Sequence, residues 1–365
     1  MRIVHISDIH LSKDNYDEFK NNYREALLNV LKKETDIKPI DIIAITGDLV
    51  DQGGHSLFKI DKYSNFDNPY LIFENEFILP LKNRLGLSNS NFLFIPGNHD
   101  INENQILWVD EKKLQDSETE GKIDDILSKN RSTFNNTNLR IEAFKNFEQK
   151  FHEDTDNYYF SNNESTFVFE NPNGIKVGFA LINDSWRCST CYLHKHKDKK
   201  LFFGEQQLYT ALNKISEFNT SCNIILTHHP LDSYAEKDDV HRTLVNNDYH
   251  LHLFGDKHHH TYTKYINSTG NCFGIMARAA LNRPNEPESN WQPGFHIIDI
   301  NFTEAHIEKI TYYKYIHSHC MFGKDTDIAP ENGHDLSKHT LSFNAIKGTS
   351  KIKAKDLDKS NFFRP

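Results

Sequence analysis

Five short segments hold most of the residues suited to chemistry: Asp8-Ile9-His10, Gly47-Asp48, Gly97-Asn98-His99-Asp100, His228-His229-Pro230 and Gly255-Asp256-Lys257-His258. Each follows an apolar run that reads as a β-strand. Asp, His and Asn together offer oxygen and imidazole ligands. Such a set suits manganese, iron, zinc and magnesium better than a thiolate site would. In Asp8-Ile9-His10 the two ligands are two residues apart, so in an extended segment they point to one side while Ile9 turns inward to pack. Gly47 and Gly97 leave room for a sharp turn as the chain leaves the sheet. Asn98 offers a neutral carbonyl oxygen, which limits the negative charge around bound cations.

For these segments to meet, the strands before them must share a rim. Ile3 to Ile6 reads as a buried strand, followed by Tyr16, Phe19, Tyr23, Ala26, Leu27 and Val30 at helical spacing. Asp41 to Ile45 is a second strand, Leu71 to Leu85 a helix, and Asn91 to Ile95 a third strand. Strand alternating with helix is the pattern of a sheet covered by helices, an α/β class. In open α/β sheets, ligands bind outside the carboxyl ends of the strands. Residues 101–165 break the rhythm with Asn, Asp, Glu, Lys and Ser and read as an insertion on the active-site side, with one helical stretch near Leu139 to Phe151. Strand-like runs resume at Ser165 to Glu170, Lys176 to Ile182, Asn223 to Leu226 and His250 to Phe254, with a helix around Leu208, Ala211, Leu212 and Ile215. Phe295 to Ile300 and Ile307 to Tyr315 read as a closing antiparallel pair. One domain over 1–320 and a polar tail or linker over 321–365 are expected. Residues 347–365 carry six Lys/Arg against two Asp.

Composition sets outer bounds. The chain has 365 residues, 37% apolar and 25% charged, enough to bury a sizeable core. A mean hydropathy of −0.66 points to long polar loops. No run of about 18 apolar residues occurs, so no membrane span is expected. The start is too short and polar for a signal peptide, and the five cysteines are an odd number that argues against a secreted disulfide framework. A cytoplasmic location is the expectation. The net charge of −9 gives no broad attraction for nucleic acid.

The series DxH, GD, GNHD, HH and GxxH, in that order, resembles the calcineurin-like metallophosphoesterase superfamily over roughly residues 1–315. Phe203-Gly204-Glu205-Gln206-Gln207-Leu208 also resembles the family's segment before the HH strand. The resemblance implies a four-layer sandwich, with two mixed sheets packed face to face and helices outside. It implies two divalent metals, manganese first among Fe, Mg, Ni and Zn. Asp8, His10 and His258 would hold one metal, Asp48 would bridge both, and Asn98 and His228 would hold the other. A hydroxide between the metals would attack phosphorus in line. His99 would stabilise or protonate the leaving oxygen, and Asp100 would orient His99 by accepting its ring N–H. The family's usual GHxH becomes Gly255-Asp256-Lys257-His258 here, so Asp256 would complete the second metal with a harder oxygen. A shifted register with His258 and His260 as the HxH pair is the alternative. The HHP segment and the long insertion resemble the phosphodiesterase branch, so a nucleotide or nucleic-acid diester is expected as substrate. A phosphomonoesterase, or a non-catalytic metal-binding module docked in a larger assembly through its tail, are the alternatives.

Other residues have plainer readings. Cys188, Cys191, His194 and His196 have zinc-ligand types, but they crowd together, and a loop with reduced cysteines is the simpler reading. His250 and His252 share a strand face and read as satisfied sheet histidines. Arg278, after a strand, is a candidate for holding a substrate phosphate.

Overall fold

The computed structural model describes residues 1–111, 120–189, 201–268, 270–281 and 292–345. Two mixed sheets face each other, with helices outside both. The first contains β1 (Arg2–Ile6), β2 (Ile42–Thr46), β3 (Phe92–Ile95), β11 (Gly294–Asn301), β12 (His306–Ile316) and β13 (Met321–Lys324), in the order β13-β12-β11-β1-β2-β3. Two-residue strands β14 (His334–Asp335) and β15 (His339–Thr340) also pair with β12. The second sheet runs β4-β5-β6-β7-β8-β10-β9, from Tyr158–Tyr159, Ser165–Glu170, Lys176–Leu181, Cys222–Leu226, Leu251–Phe254, Asn271–Met276 and Thr261–Ile266 respectively.

The strand centres are apolar on both faces because both faces are covered. Ile3, Ile42, Ala44, Leu93 and Ile95 meet Leu181, Ile224, Leu226, Leu251 and Leu253 between the sheets. The alternate residues Val4, Ile6, Ile43, Ile45, Phe92 and Phe94 face the helices. This explains why the strands read as continuous apolar runs rather than alternating ones. The outer layer includes α1 (Arg24–Ile37), α2 (Leu79–Leu85), α3 (Glu120–Asn130), α4 (Glu142–Phe151), α5 (Gln206–Ser216) and α6 (Lys237–Asn246). The β1–β2 and β2–β3 pairs are parallel, as are β6–β7 and β7–β8, so the strands within each sheet end together, and the bond of His228 after β7 to Thr46 O at the end of β2 brings the two sets to one rim.

Two organisational expectations change. The polar stretch beginning at residue 321 is not a tail throughout: β13, β14 and β15 complete the edge of the first sheet, and Leu341 and Phe343 are buried in the inter-sheet core. Polar alternation hid this, because an edge strand buries one face only. Residues 346–365 lie outside the described residues. The segment 101–165 is likewise not one inserted cap. Phe144 and Phe147 of α4 pack on Phe94 and Tyr70, and β4 and β5 belong to the second sheet.

The early part of that segment is fastened by charge. The buried Glu111 carboxylate pairs with both Arg140 and Arg187. Removing one member of such a buried set leaves uncompensated charge. Glu111→Gln is therefore expected to lower stability by roughly 3–5 kcal/mol, read by urea denaturation; an unchanged midpoint would remove this role.

Candidate metal centre

The five segments meet on one rim. Where they leave the sheet, five non-glycine residues adopt left-handed backbone: Asp8 (φ 54°), His10 (φ 48°), Asp48 (φ 53°), Asp256 (φ 72°) and His258 (φ 57°). Residues held in sparsely populated backbone regions are found at functional sites more often than elsewhere, and here five of the thirteen described ones fall in three of these segments. Backbone bonds lock the first two loops together: His10 N–H and Ile9 N–H both donate to Asp48 O, at 2.8 and 2.9 Å. The glycines permit close approach. At φ 89°, Gly47 sits in a conformation that favours glycine. A Cβ on Gly47 would collide with the His228 ring, one on Gly97 with the Asp48 carboxylate, and one on Gly255 with Ser7 and Asp8.

Ligand atoms converge in two overlapping groups. In one, His258 Nε2 lies 3.1 Å from Asp8 Oδ1 and 3.3 Å from His10 Nε2. In the other, His228 Nε2 lies 3.4 Å from Asp48 Oδ2 and 3.1 Å from Asn98 Oδ1. Asp48 Oδ2 is also 3.6 Å from His10 Nε2, so it faces both groups. His228 donates its Nδ1–H to Thr46 O at 2.8 Å. Its Nε2 is thereby turned toward two acceptors and needs either a proton or a metal ion there. Asp8 Oδ1 is buried and accepts no hydrogen bond. These groups fit divalent cations: Asp8, His10 and His258 form one candidate triad, and Asp8, Asp48 and His228 another.

The electrostatics agree. Burial alone would raise the Asp48 pKa, but His228, His99 and His10 outweigh it and hold the carboxyl well below the usual range. For His228, burial opposes the charged form, and Asp48, Asp8 and Asp256 reverse that and raise its pKa well above the ordinary value. Such a centre attracts cations, and a cation displaces the imidazole proton.

Asp256 is placed on the His228 side, grouped with His228 and His229. Burial pushes its pKa up, and His229, His228 and Lys257 bring it below the ordinary value. His260 is turned elsewhere: its Nδ1–H donates to Met276 O at 3.2 Å and its ring packs on Tyr312 at 4.4 Å. The geometry thus brings Asp256 and His258, rather than His260, to the rim.

Two expected roles are corrected. Asp100 does not orient His99. Its carboxylate accepts backbone N–H groups from Gly97 (2.8 Å), Leu49 (3.1 Å) and Val50 (3.1 Å) and so ties two rim loops together. Burial, then the nearby Asp48 charge, raise its pKa to about 7 despite those amides. Asp51 instead reaches the His99 ring, with its Oδ1 2.8 Å from His99 Nδ1. Arg278 is not held ready for a phosphate: it pairs with the fully buried Asp325 at 2.7 Å.

Two functional residues were missed. Asp51 follows Asp48 by three residues in the same loop, a spacing that could have drawn notice. Asp184 follows β6, beside the strand carrying His228. Its buried carboxylate accepts the N–H groups of His228 (3.1 Å) and His229 (2.8 Å), the His229 ring at Nδ1 (2.9 Å) and the Tyr234 hydroxyl (2.5 Å). It thus fixes the turn that presents His228. His250 and His252 are satisfied within the sheet, through Asn223 N–H and the Thr227 hydroxyl. Cys188 is buried with its Sγ 3.8 Å from His229 Nε2; Cys191, His194 and His196 lie outside the described residues.

Comparison with known proteins agrees with this centre. The family model for calcineurin-like phosphoesterases matches residues 1–260. The chain belongs to that family, whose members use a dinuclear divalent metal site. It is 25% identical over 327 residues to YydB of Bacillus subtilis (strain 168), an uncharacterized metallophosphoesterase-like protein. The match covers 86% of this chain and 59% of YydB, so the chain spans about three-fifths of that relative's length. Similar solved structures include a dimetal phosphatase from Danio rerio, with 14% identity, TM-score 0.45 and coverage of 86% of this chain and 95% of that one. Another is the calcineurin-like phosphoesterase YfkN from Bacillus subtilis, with 11% identity, TM-score 0.43 and coverage of 95% and 91%. Among the described residues, no helix is long and apolar enough to cross a membrane.

Proposed function

We propose that this chain hydrolyses phosphodiesters with two divalent metal ions, manganese foremost, and that a nucleotide or nucleic acid supplies the diester. The observation carrying the metal-dependent reading is the convergence of lone pairs on one rim, from the buried Asp8, His10, Asp48, His228 and His258 and the half-buried Asn98. Asp8, His10 and His258 would hold one metal, Asp48 would serve both, and Asn98, His228 and Asp256 would hold the other. When bound, the metals supply an activated water and neutralise charge on the phosphoryl oxygens. The chain's own residues do the rest. His228 is held in the Nε2-ligating tautomer by Thr46 O, as outer partners commonly do for metal-bound imidazoles. His99 stands beside His10, rings 4.7 Å apart, with Nδ1 held by Asp51. From there its Nε2 carries a proton to the departing oxygen.

The test is a screen of chromogenic diesters and monoesters with Mn, Mg, Ni and Zn, alongside metal analysis of protein purified without chelator. Diester hydrolysis with bound metal is expected. Monoester preference would replace the diester reading with a phosphatase. Bound metal without any hydrolysis would leave a binding module.

Asp256 makes a separate forecast. A hard carboxylate oxygen favours Mn or Mg over Zn, which prefers nitrogen and sulfur. Asp256→His is therefore expected to raise activity with Zn or Ni relative to Mn, measured as a ratio of rates in metal-reconstituted protein. An unchanged ratio would place Asp256 outside the metal shell.

A further inference from the structure

Beside the metal centre lies a cavity of about 520 Å³, within the range of about 300–1,000 Å³ usual for small-molecule sites. Its floor is apolar and aromatic: Phe254, Tyr265, Met276 and Leu231. These side chains lie against the start of α6, whose His241 ring meets Tyr265 edge-on at 5.7 Å. The cavity is joined to the metal rim by two stretches of chain. Pro230, in its lining, directly follows His228-His229. Lys257, also in its lining, stands between Asp256 and His258 and pairs with Asp256 at 2.8 Å.

The position relative to His99 matters. His99 groups with His10 and Asp51, whereas Asp256 groups with His228 and His229. A group departing beside His99 leaves the Asp256 side, which shares no ligand group with His99, to the part of the substrate that stays on phosphorus. We infer that this cavity receives the retained ester group of the diester, and that this group is an uncharged, apolar or aromatic body of nucleoside size. The inference rests on the phosphodiesterase reading above. The lining supports that chemistry. Aromatic and thioether side chains give a flat or apolar body contact area. The lysines lining it are matched by acids, Lys257 by Asp256 and Lys237 by Asp232 at 3.7 Å, and the other titratable groups in the lining are Asp238, His241 and His259. Binding such a remote group lets the enzyme use contact energy to hold the reacting phosphate in place.

The test uses the full chain with metals and two p-nitrophenyl diesters that share a leaving group, the methyl ester and the thymidine 5′-ester. The thymidine diester is expected to be favoured by about tenfold or more in kcat/KM, the size of effect an apolar pocket gives. Thr263 and His241 line the cavity and stand outside the metal shell. Thr263→Phe and His241→Trp would fill it. Each variant is expected to keep the methyl-diester rate, which also reports intact folding, and to reduce the preference to about threefold or less. Equal kcat/KM for the two diesters in the unaltered protein, or a preference that survives both substitutions, would overturn the inference. Absence of metal-dependent cleavage of either diester would remove the phosphodiesterase reading itself, and this inference with it.

Discussion

Asp48→Asn is expected to strip at least one metal and abolish hydrolysis while the fold survives. Asp48 Oδ2 faces His228 Nε2 at 3.4 Å and His10 Nε2 at 3.6 Å, one from each ligand group. Its other oxygen accepts the His99 N–H at 2.7 Å. An amide keeps the size and tolerates the left-handed backbone, because Asn visits that region readily. It removes the negative charge shared between the groups, and one of its two terminal atoms becomes a donor. Metal content by elemental analysis, circular dichroism and diester hydrolysis would be read together. Full activity with two bound metals would refute the bridging role.

His99→Ala is expected to keep both metals and to lose about 10²–10⁴ in rate, the usual share of a general acid. The loss should shrink for diesters with good leaving groups, which depart without a proton. Asp51→Asn acts through His99 and should move the same leaving-group dependence in the same direction, by about 10–100-fold at most. Equal losses for good and poor leaving groups would count against proton donation. Loss of metal from His99→Ala would make it a ligand instead.

The sheet and its motifs were legible for a physical reason. Strands buried on both faces are written as unbroken apolar runs, and Ile42–Thr46, Phe92–Ile95 and Cys222–Leu226 are such runs. The turn residues that end them are Gly, Asp, Asn and His, so the site marks its own borders. Less legible was anything decided by partners far apart in sequence. Asp51 and Asp100 are both carboxylates near His99; which one reaches the ring depends on how two loops cross, and no local spacing encodes that. Asp184 follows a strand with no motif around it. The strands after Met321 are two to four residues long and polar on one side, so their pairing with β12 is set by the sheet edge waiting for them.

The left-handed backbone at Asp8, His10, Asp48, Asp256 and His258 carries a cost in stability. Each such residue costs on the order of 1 kcal/mol in the fold, against a net stability of about 5–15 kcal/mol for a typical protein. Glycine would adopt this backbone without penalty at each of these positions, but it would erase the side chain's chemistry and its buried contacts, such as the Asp48 bond to the His99 N–H. This chain carries four carboxylates and imidazoles in strained positions on the Asp8–His10 and Asp256–His258 loops, and a fifth at Asp48. Together they mark the rim where the fold gives up stability to keep the side chains it carries there.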